Sequence, residues 1–493
     1  MVTAGEGYNA PTTGHKRSKD GCQTCRHRKK KCDELRPTCS GCMRNNLSCQ
    51  WLAHKPQRQR RRRPCHQNGQ LWPRGVSIPQ SLTGMVTVFA VPSRRMMCRL
   101  LDHFTHSGPL WMSIGPGRRD RFLRHVAGFA LENPLTLNCI LAMSAADLVK
   151  YDLEEPELGT MALEFYGSAI AGLSARVKKE LIPRYPTEKH ASASDDVLLA
   201  ILLLCVHEAH NFSDASRMFP HLNAAAVILR QQRWCFAPRN PELRAFLLEI
   251  FCYFFALVAF SHGSSLNIAP AAGVFELILV QGDNVKSQSL LLGPSQELIA
   301  TIFRVSMLTH FSNKPMDDER RLELARIELQ LQSLDTNVPT TNSRQNNQDD
   351  LSHDDLALFK LYRLACLIYV KGTLDPRISP RDPSLQQIVI SFVNELGSLP
   401  GGSSLNGLLV WPLVIAGLCA VACTHQRIII GRFRTIYKTW RTDIMIRSME
   451  FLRDRWKVYR ELERASEARG SCFDVSLASY LCLQDLRLPA VLV

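Results

Sequence analysis

The chain has 493 residues, 45% apolar and 21% charged, proportions ordinary for a folded soluble protein and a length beyond one ordinary core. Its net charge of +15 is concentrated: residues 1–66 hold 16 Lys and Arg against four acids, a net +12 that leaves +3 for the other 427 residues. A nearly neutral body behind a basic head is the pattern of a nucleic-acid-binding module, and the first 19 residues, read as disordered, lack the apolar stretch of a secretory signal. The thiols are therefore expected in a reducing compartment, where clustered cysteines favour metal over disulfides.

From residue 20 to 50 the chain reads as one small domain. Cys22, Cys25 and Cys32 are followed by Cys39, Cys42 and Cys49, so C-x2-C-x6-C occurs twice with an offset of 17 residues. Structural disulfides would leave unexplained why Arg26, Arg28, Lys29, Lys30 and Lys31 crowd between two of these thiols. Metal thiolates explain it, because they are anionic. Zinc takes four ligands, so two ions need eight bonds, which six thiolates supply only if two of them bridge. The result is a Zn2Cys6 cluster with two structural Zn2+ per chain and a net charge of about −2, partly offset by the cations around it. The other cysteines, Cys65, Cys98, Cys139 and onward, lack such spacing and read as buried hydrophobes or free thiols.

The two halves differ. After Cys25 comes RHRKKK and after Cys42 comes MRNNLS, both expected as short helical turns on the cluster. Only the first has the charge to bind phosphates and enter a major groove, where Arg or Lys donates to guanine O6 and N7. A solvated charged face is the bland alternative, but the cluster anchors both ends of this run.

The stretch from Cys22 to Cys49 resembles the DNA-binding domain of fungal binuclear zinc cluster transcription factors, matching C-x2-C-R-x-R-K-x-K-C-D through P-x-C-x2-C-x6-C without gaps. That resemblance implies that Cys22 and Cys39 are the bridging ligands and that Pro37 shapes the turn between the halves. It further implies that Arg28 and Lys29 read a CGG-type triplet in double-stranded DNA while Arg26 and Lys31 contact phosphates. His27 and Lys30 stand where apolar residues are common, a small departure that leaves the zinc site intact.

Residues 51–95 read as a basic linker broken by Pro56, Pro64, Pro73 and Pro79. Its Arg58, Arg60, Arg61, Arg62 and Arg63 read as a nuclear import signal or as a DNA-backbone contact, with a generic solubilising run as the alternative. No apolar heptad follows the cluster, so a homodimer, if formed, is not joined by a coiled coil there.

From residue 96 to 493 long apolar periodic segments predict a large all-α regulatory domain, making the whole chain mostly α. Phe122, Leu123, Val126, Phe129 and Ala130 are expected on one helical face. Asn133 is expected to cap a helix opening at Pro134, with Leu137, Ile140, Leu141, Ser144 and Leu148 inward, and Ser194 or Asp195 to cap a helix buried on most sides. Thr336 opens a polar surface loop. Two apolar runs, from Ala245 and from Leu408, are shorter than the roughly 20 residues of a membrane span, and Glu249 and Pro412 interrupt them; both read as core helices.

Phrases such as LLDHFTHSGPLWMSI from Leu100, NPLTLNCILAMSAADL from Asn133, DDVLLAILLLCVHEAH from Asp195 and WPLVIAGLCAV from Trp411 resemble the fungal-specific transcription factor domain, over most of 97–465. The resemblance implies a helical regulatory region, sometimes proposed to sense small molecules. An enzyme is not expected: HEAH at 207–210 has Asn211 where a zinc protease helix needs its second histidine, and Gly115 and Gly117 precede a helix with no strand before them. His103, His106, His207 and His210 read as satisfied or surface histidines. Together these features predict a nuclear, sequence-specific DNA-binding regulator of RNA polymerase II transcription that works with the transcription machinery or co-regulators and has no membrane partner. The alternative is the same head gated by a metabolite-binding helical receptor domain.

Overall fold

The computed structural model describes residues 22–30, 32–35, 38–50, 94–152, 155–180, 195–211, 215–230, 240–262, 266, 268–280, 289–310, 317–334 and 352–468. Among the described residues the regular elements are helices, with no strand. The chain divides into two units, Met1–Leu71 and Trp72–Val493. The linker arginines Arg58 and Arg60 to Arg63, together with Lys31, Pro37, Cys65, Ser194 and the loop from Thr336, lie outside the described residues.

In the larger unit the three- and four-residue spacing of apolar side chains becomes helices that stack in sequence order. Pro134–Val149 packs along Glu157–Glu180 and against Asp195–Asn211; Pro241–His262 packs on Gln296–His310; His353–Leu374 packs on Pro383–Leu396 and Val410–Leu418. The core is rich in rings. Phe275 and Phe303 stack at 4.0 Å between centroids and Phe255 meets both edge-on, joining three helices. Each such pair contributes about 0.5–1.5 kcal/mol beyond area burial.

Several helix starts follow their expected chemistry. Asp317, Ser352 and Asp382 each accept a backbone N–H of the first turn. Asn133 does not: it occupies the capping position before Pro134, but its side chain donates back to the Phe129 carbonyl. Pro134 has no N–H to offer at the first helical position. Asp195 is the first helical residue of Asp195–Asn211, in which everything from Asp196 to Ala209 is buried. In Arg119–Glu132 a π turn over Leu123–Ala127 inserts an extra residue per turn. The face therefore rotates: Phe122, Val126 and Ala130 stay buried and Ala127 and Gly128 join them, while Leu123 and Phe129 are only partly buried at the edge of the core.

The histidines are held by neighbours. His103 pairs with Asp147 at 2.9 Å, and half-exposed His106 bonds the Asp102 carbonyl one turn earlier. His207 stacks on Tyr166 at 5.0 Å, and burial holds it neutral at about 4, with nearby Lys150 adding to the effect. Burial pushes His210 further, to about 3. Cys139, Cys205, Cys252, Cys366 and Cys419 are buried, whereas Cys98 and Cys423 are exposed thiols.

Length does not separate the Ala245 run from a membrane span. It belongs to the 22-residue helix Pro241–His262, long and apolar enough to cross a bilayer, and 94% of its most apolar window is buried inside the domain. What sets it apart is Glu249, which is 0% exposed. Its carboxylate accepts from Ser289 Oγ and from the backbone N–H groups of Leu290 at 2.8 Å, Leu291 at 3.1 Å and Leu292 at 3.0 Å. Ser289 Oγ in turn accepts from the Gly293 N–H at 2.7 Å. The same loop gives its Leu290 carbonyl to Gly115 N–H. Gly293, at φ 52°, leaves room for the Arg118 guanidinium, which meets buried Asp355 at 2.6 Å. The second apolar run ends at Leu418, and Pro412 sits in the first turn of Val410–Leu418, where a missing N–H costs little.

Glu249→Leu makes the helix more uniformly apolar yet strands three buried backbone donors, each costing about 1–3 kcal/mol. The expected outcome is a loss of at least about 3 kcal/mol, read as a lower urea midpoint, with Glu249→Gln intermediate.

Candidate metal centre

The 17-residue repeat in sequence becomes a repeat in space. Two five-residue helices, Gln23–His27 and Ser40–Arg44, begin one residue after Cys22 and Cys39. In each, the second cysteine's N–H donates to the first one's sulfur: Cys25 N to Cys22 Sγ at 3.3 Å and Cys42 N to Cys39 Sγ at 3.4 Å. The first cysteine's N–H donates to the third one's sulfur, Cys22 to Cys32 and Cys39 to Cys49, both at 3.4 Å. The chain leaves each helix in the same way. Lys29, at φ 55°, and Asn46, at φ 50°, are both left-handed, and the next N–H closes on Cys25 O or Cys42 O at 3.0 Å.

The sulfurs form two overlapping groups of four, Cys22, Cys25, Cys32, Cys39 and Cys22, Cys39, Cys42, Cys49, with every ligand atom in a group within 4.8 Å of the others. Cys22 and Cys39 belong to both. Sulfurs around a tetrahedral zinc with bonds of about 2.3 Å lie about 3.8 Å apart. Here Cys22 and Cys39 are separated by 3.7 Å, Cys22 and Cys42 by 3.7 Å, and Cys25 and Cys39 by 3.5 Å. The donor set fits two zinc ions. Burial pushes the Cys42 thiol up to about 12, and its sulfur neighbours add to that. For the two shared sulfurs burial acts in the same direction, but the Cys25 and Cys42 N–H groups and neighbouring thiols hold Cys22 and Cys39 below the ordinary value. Loading with metal therefore releases protons, and affinity falls as acidity rises.

Two residues hold the halves together that sequence reading did not single out. Asp33, which follows Cys32, accepts the Ser40 N–H with both carboxylate oxygens, at 3.2 and 3.1 Å. The Ser40 hydrogen bond lowers its carboxyl below the usual range. Thr24 donates to the Ser48 carbonyl at 2.7 Å and accepts the Gln50 N–H at 3.2 Å, tying the end of the second half to the first helix. The available signal for Asp33 was the final D of the C-x2-C-R-x-R-K-x-K-C-D pattern, a position to which the sequence reading gave no role.

His27, Arg28, Lys29 and Lys30 are exposed, and among the described residues no acid pairs with them. Arg26 lies within Gln23–His27, but its side chain is outside the described set. In the second half Arg44 Nε and Asn45 Nδ2 fold back onto the Ser40 and Gly41 carbonyls of their own helix. Among the described residues the first half thus presents Arg28, Lys29 and Lys30 together, and the second half a single cation, Arg44.

Two outcomes follow from this geometry. Cys22→Ser removes a sulfur from both groups and should abolish the two-zinc content, whereas Cys49→Ser removes one from a single group and should retain about one zinc, measured by metal analysis of the purified chain. Lys29→Asn places a residue that tolerates left-handed backbone where lysine is strained, and should slow zinc loss to a chelator, corresponding to about 0.5–1 kcal/mol.

The model for the fungal specific transcription factor domain matches residues 99–476, and that for the fungal Zn(2)-Cys(6) binuclear cluster domain matches residues 20–59. A Zn(2)-C6 fungal-type transcription factor (afumD) of Aspergillus fumigatus is 29% identical over 169 residues, 32% of this chain and 40% of that protein. A zinc cluster transcription factor of Candida albicans is 49% identical over 49 residues, 10% of this chain and 12% of its own. The sterol uptake control protein 2 of Candida albicans is 48% identical over 42 residues, 8% and 6% of the two chains. The chain thus spans 40% or less of these relatives' length. No solved structure matches. With one family model covering most of the helical unit and another covering the paired sulfur groups, the chain belongs to the fungal-specific transcription factor domain family and carries a Zn(2)-Cys(6) cluster that binds two zinc ions.

Proposed function

We propose that this protein is a nuclear, sequence-specific DNA-binding regulator of RNA polymerase II transcription. The observation that carries the reading is the exposed Arg28–Lys29 turn, whose cations pair with no acid among the described residues and which lies between the metal-binding sulfurs of Cys25 and Cys32. In this reading Cys22, Cys25, Cys32 and Cys39 hold one zinc, Cys22, Cys39, Cys42 and Cys49 hold the other, and both ions are structural. Lys29 and Arg28 donate to guanine edges of a CGG-type site in the major groove, and Arg26 and Lys31 grip phosphate. Strain at a left-handed lysine is consistent with a residue placed for contact rather than for stability. Arg58 and Arg60 to Arg63 serve nuclear import, and the helical domain works through co-regulators.

The metabolite-receptor reading would need a larger pocket than the one beside Tyr253. One cavity among the described residues, beside His210, Tyr253 and Thr442, measures about 50 Å³, where metabolite pockets take roughly 300–1,000 Å³.

Selection of duplexes from a random pool by the full-length chain tests the main reading: an enriched CGG-type half-site supports it, and an unenriched pool rejects it. Lys29→Ala should cost about 1–3 kcal/mol on the selected site and little on scrambled DNA. Arg26→Ala should weaken both about equally and lower the salt slope by roughly one unit. Both variants must retain two zincs.

A further inference from the structure

The helix Cys423–Trp440 carries four Arg and Lys and no acid, within a region whose overall charge is close to neutral. Its cations divide by direction. Arg432 turns inward and donates to the carbonyls of Leu396 and Leu399 and to Asn406 Oδ1. Arg427, Arg434 and Lys438 are exposed. Arg427 touches only the Cys423 carbonyl of its own helix, and among the described residues none of the three meets a carboxylate.

At about 100° per residue these three positions fall within roughly 40° of one another around the axis, spaced about 10 Å and 6 Å along it. Arg434 and Lys438, four residues apart, repel each other, so the arrangement costs the isolated helix a little stability. Gly431 lies in the same stripe, with open space where a Cβ would stand. Beside it is Ile428, 46% exposed.

We propose that this face is a docking surface for an acidic, amphipathic peptide segment of a partner protein. Charge complementarity supplies the first reason: three unneutralised cations in one line lower their mutual repulsion when carboxylates lie across them. The second reason distinguishes a peptide from nucleic acid. Exposed Ile428, beside the open space at Gly431, offers an apolar contact that a leucine or phenylalanine on the partner can use and a phosphate backbone cannot. Rim charges set the rate and salt dependence of the encounter, and the apolar contact sets its persistence.

The test uses the full-length, zinc-loaded chain and a fluorescent synthetic peptide in which Asp and Glu alternate with Leu and Phe, with a control peptide carrying Lys in place of each acid. The expected result is binding of the acidic peptide alone, weakened about tenfold or more by the combined R427E, R434E and K438E changes, and weakened at unchanged charge by Ile428→Ser. The neutral set R427Q, R434Q and K438Q should give an intermediate loss and guards against a misfolded reversal variant. Peptide binding that is absent, or that is indifferent to both the charge changes and Ile428→Ser, overturns the proposal. So does an unaffected Ile428→Ser together with a fall of about three units in the salt slope for scrambled duplex in the charge variants, which assigns the face to DNA backbone.

Discussion

Six sulfurs crowded into the interior of a segment of fewer than thirty residues would repel one another as thiolates, and the small unit depends on cancelling that repulsion. Bound metal would offset that repulsion, and backbone N–H groups add to the offset. The N–H groups of Cys22, Cys25, Cys39 and Cys42 all point at sulfur, in two sets related by the 17-residue repeat. Because each helix must turn sharply to bring its third cysteine back, residue 29 and residue 46 adopt left-handed backbone. Asn46 suits that conformation; Lys29 does not. The departure from symmetry therefore lies at the position whose side chain is free and charged.

The larger unit answers the same need with different chemistry. Where helices exclude water, every polar group left inside must find a partner from elsewhere in the chain. Glu249 lies near the middle of the long apolar helix Pro241–His262 and is satisfied by a loop some 40 residues later. That loop is itself held by Gly115 and flanked by the Arg118–Asp355 pair. One carboxylate thus organises a junction of four chain segments, and Gly293 is a glycine there because its positive φ and the nearby guanidinium leave no comfortable space for a side chain.

This division explains how the helical surface can serve interactions without weakening the core. Arg432 and Arg434 are two residues apart on one helix, yet one satisfies carbonyls at the end of Pro383–Leu396 and the other faces solvent. A guanidinium that reaches buried carbonyls contributes to packing. One that meets no acid is available to a partner.

By itself the sequence determined the zinc cluster, its ligand number and the helical character of the body. Metal ligation by C-x2-C pairs and amphipathic periodicity act over short chain distances, so their signals are written in consecutive residues. Sequence also placed Arg28 and Lys29 between anchored ends, where the described structure finds them exposed. Only the tertiary structure decided that Asp33 and Thr24 clasp the two halves, that a π turn rotates the face around Val126, and that Asn133 faces away from the helix it precedes. It also decided the fate of Pro241–His262, whose composition suits a membrane as well as a protein core. Desolvation is settled by whatever arrives from distant parts of the chain, and for Glu249 and Asp355 those partners lie about 40 and 237 residues away.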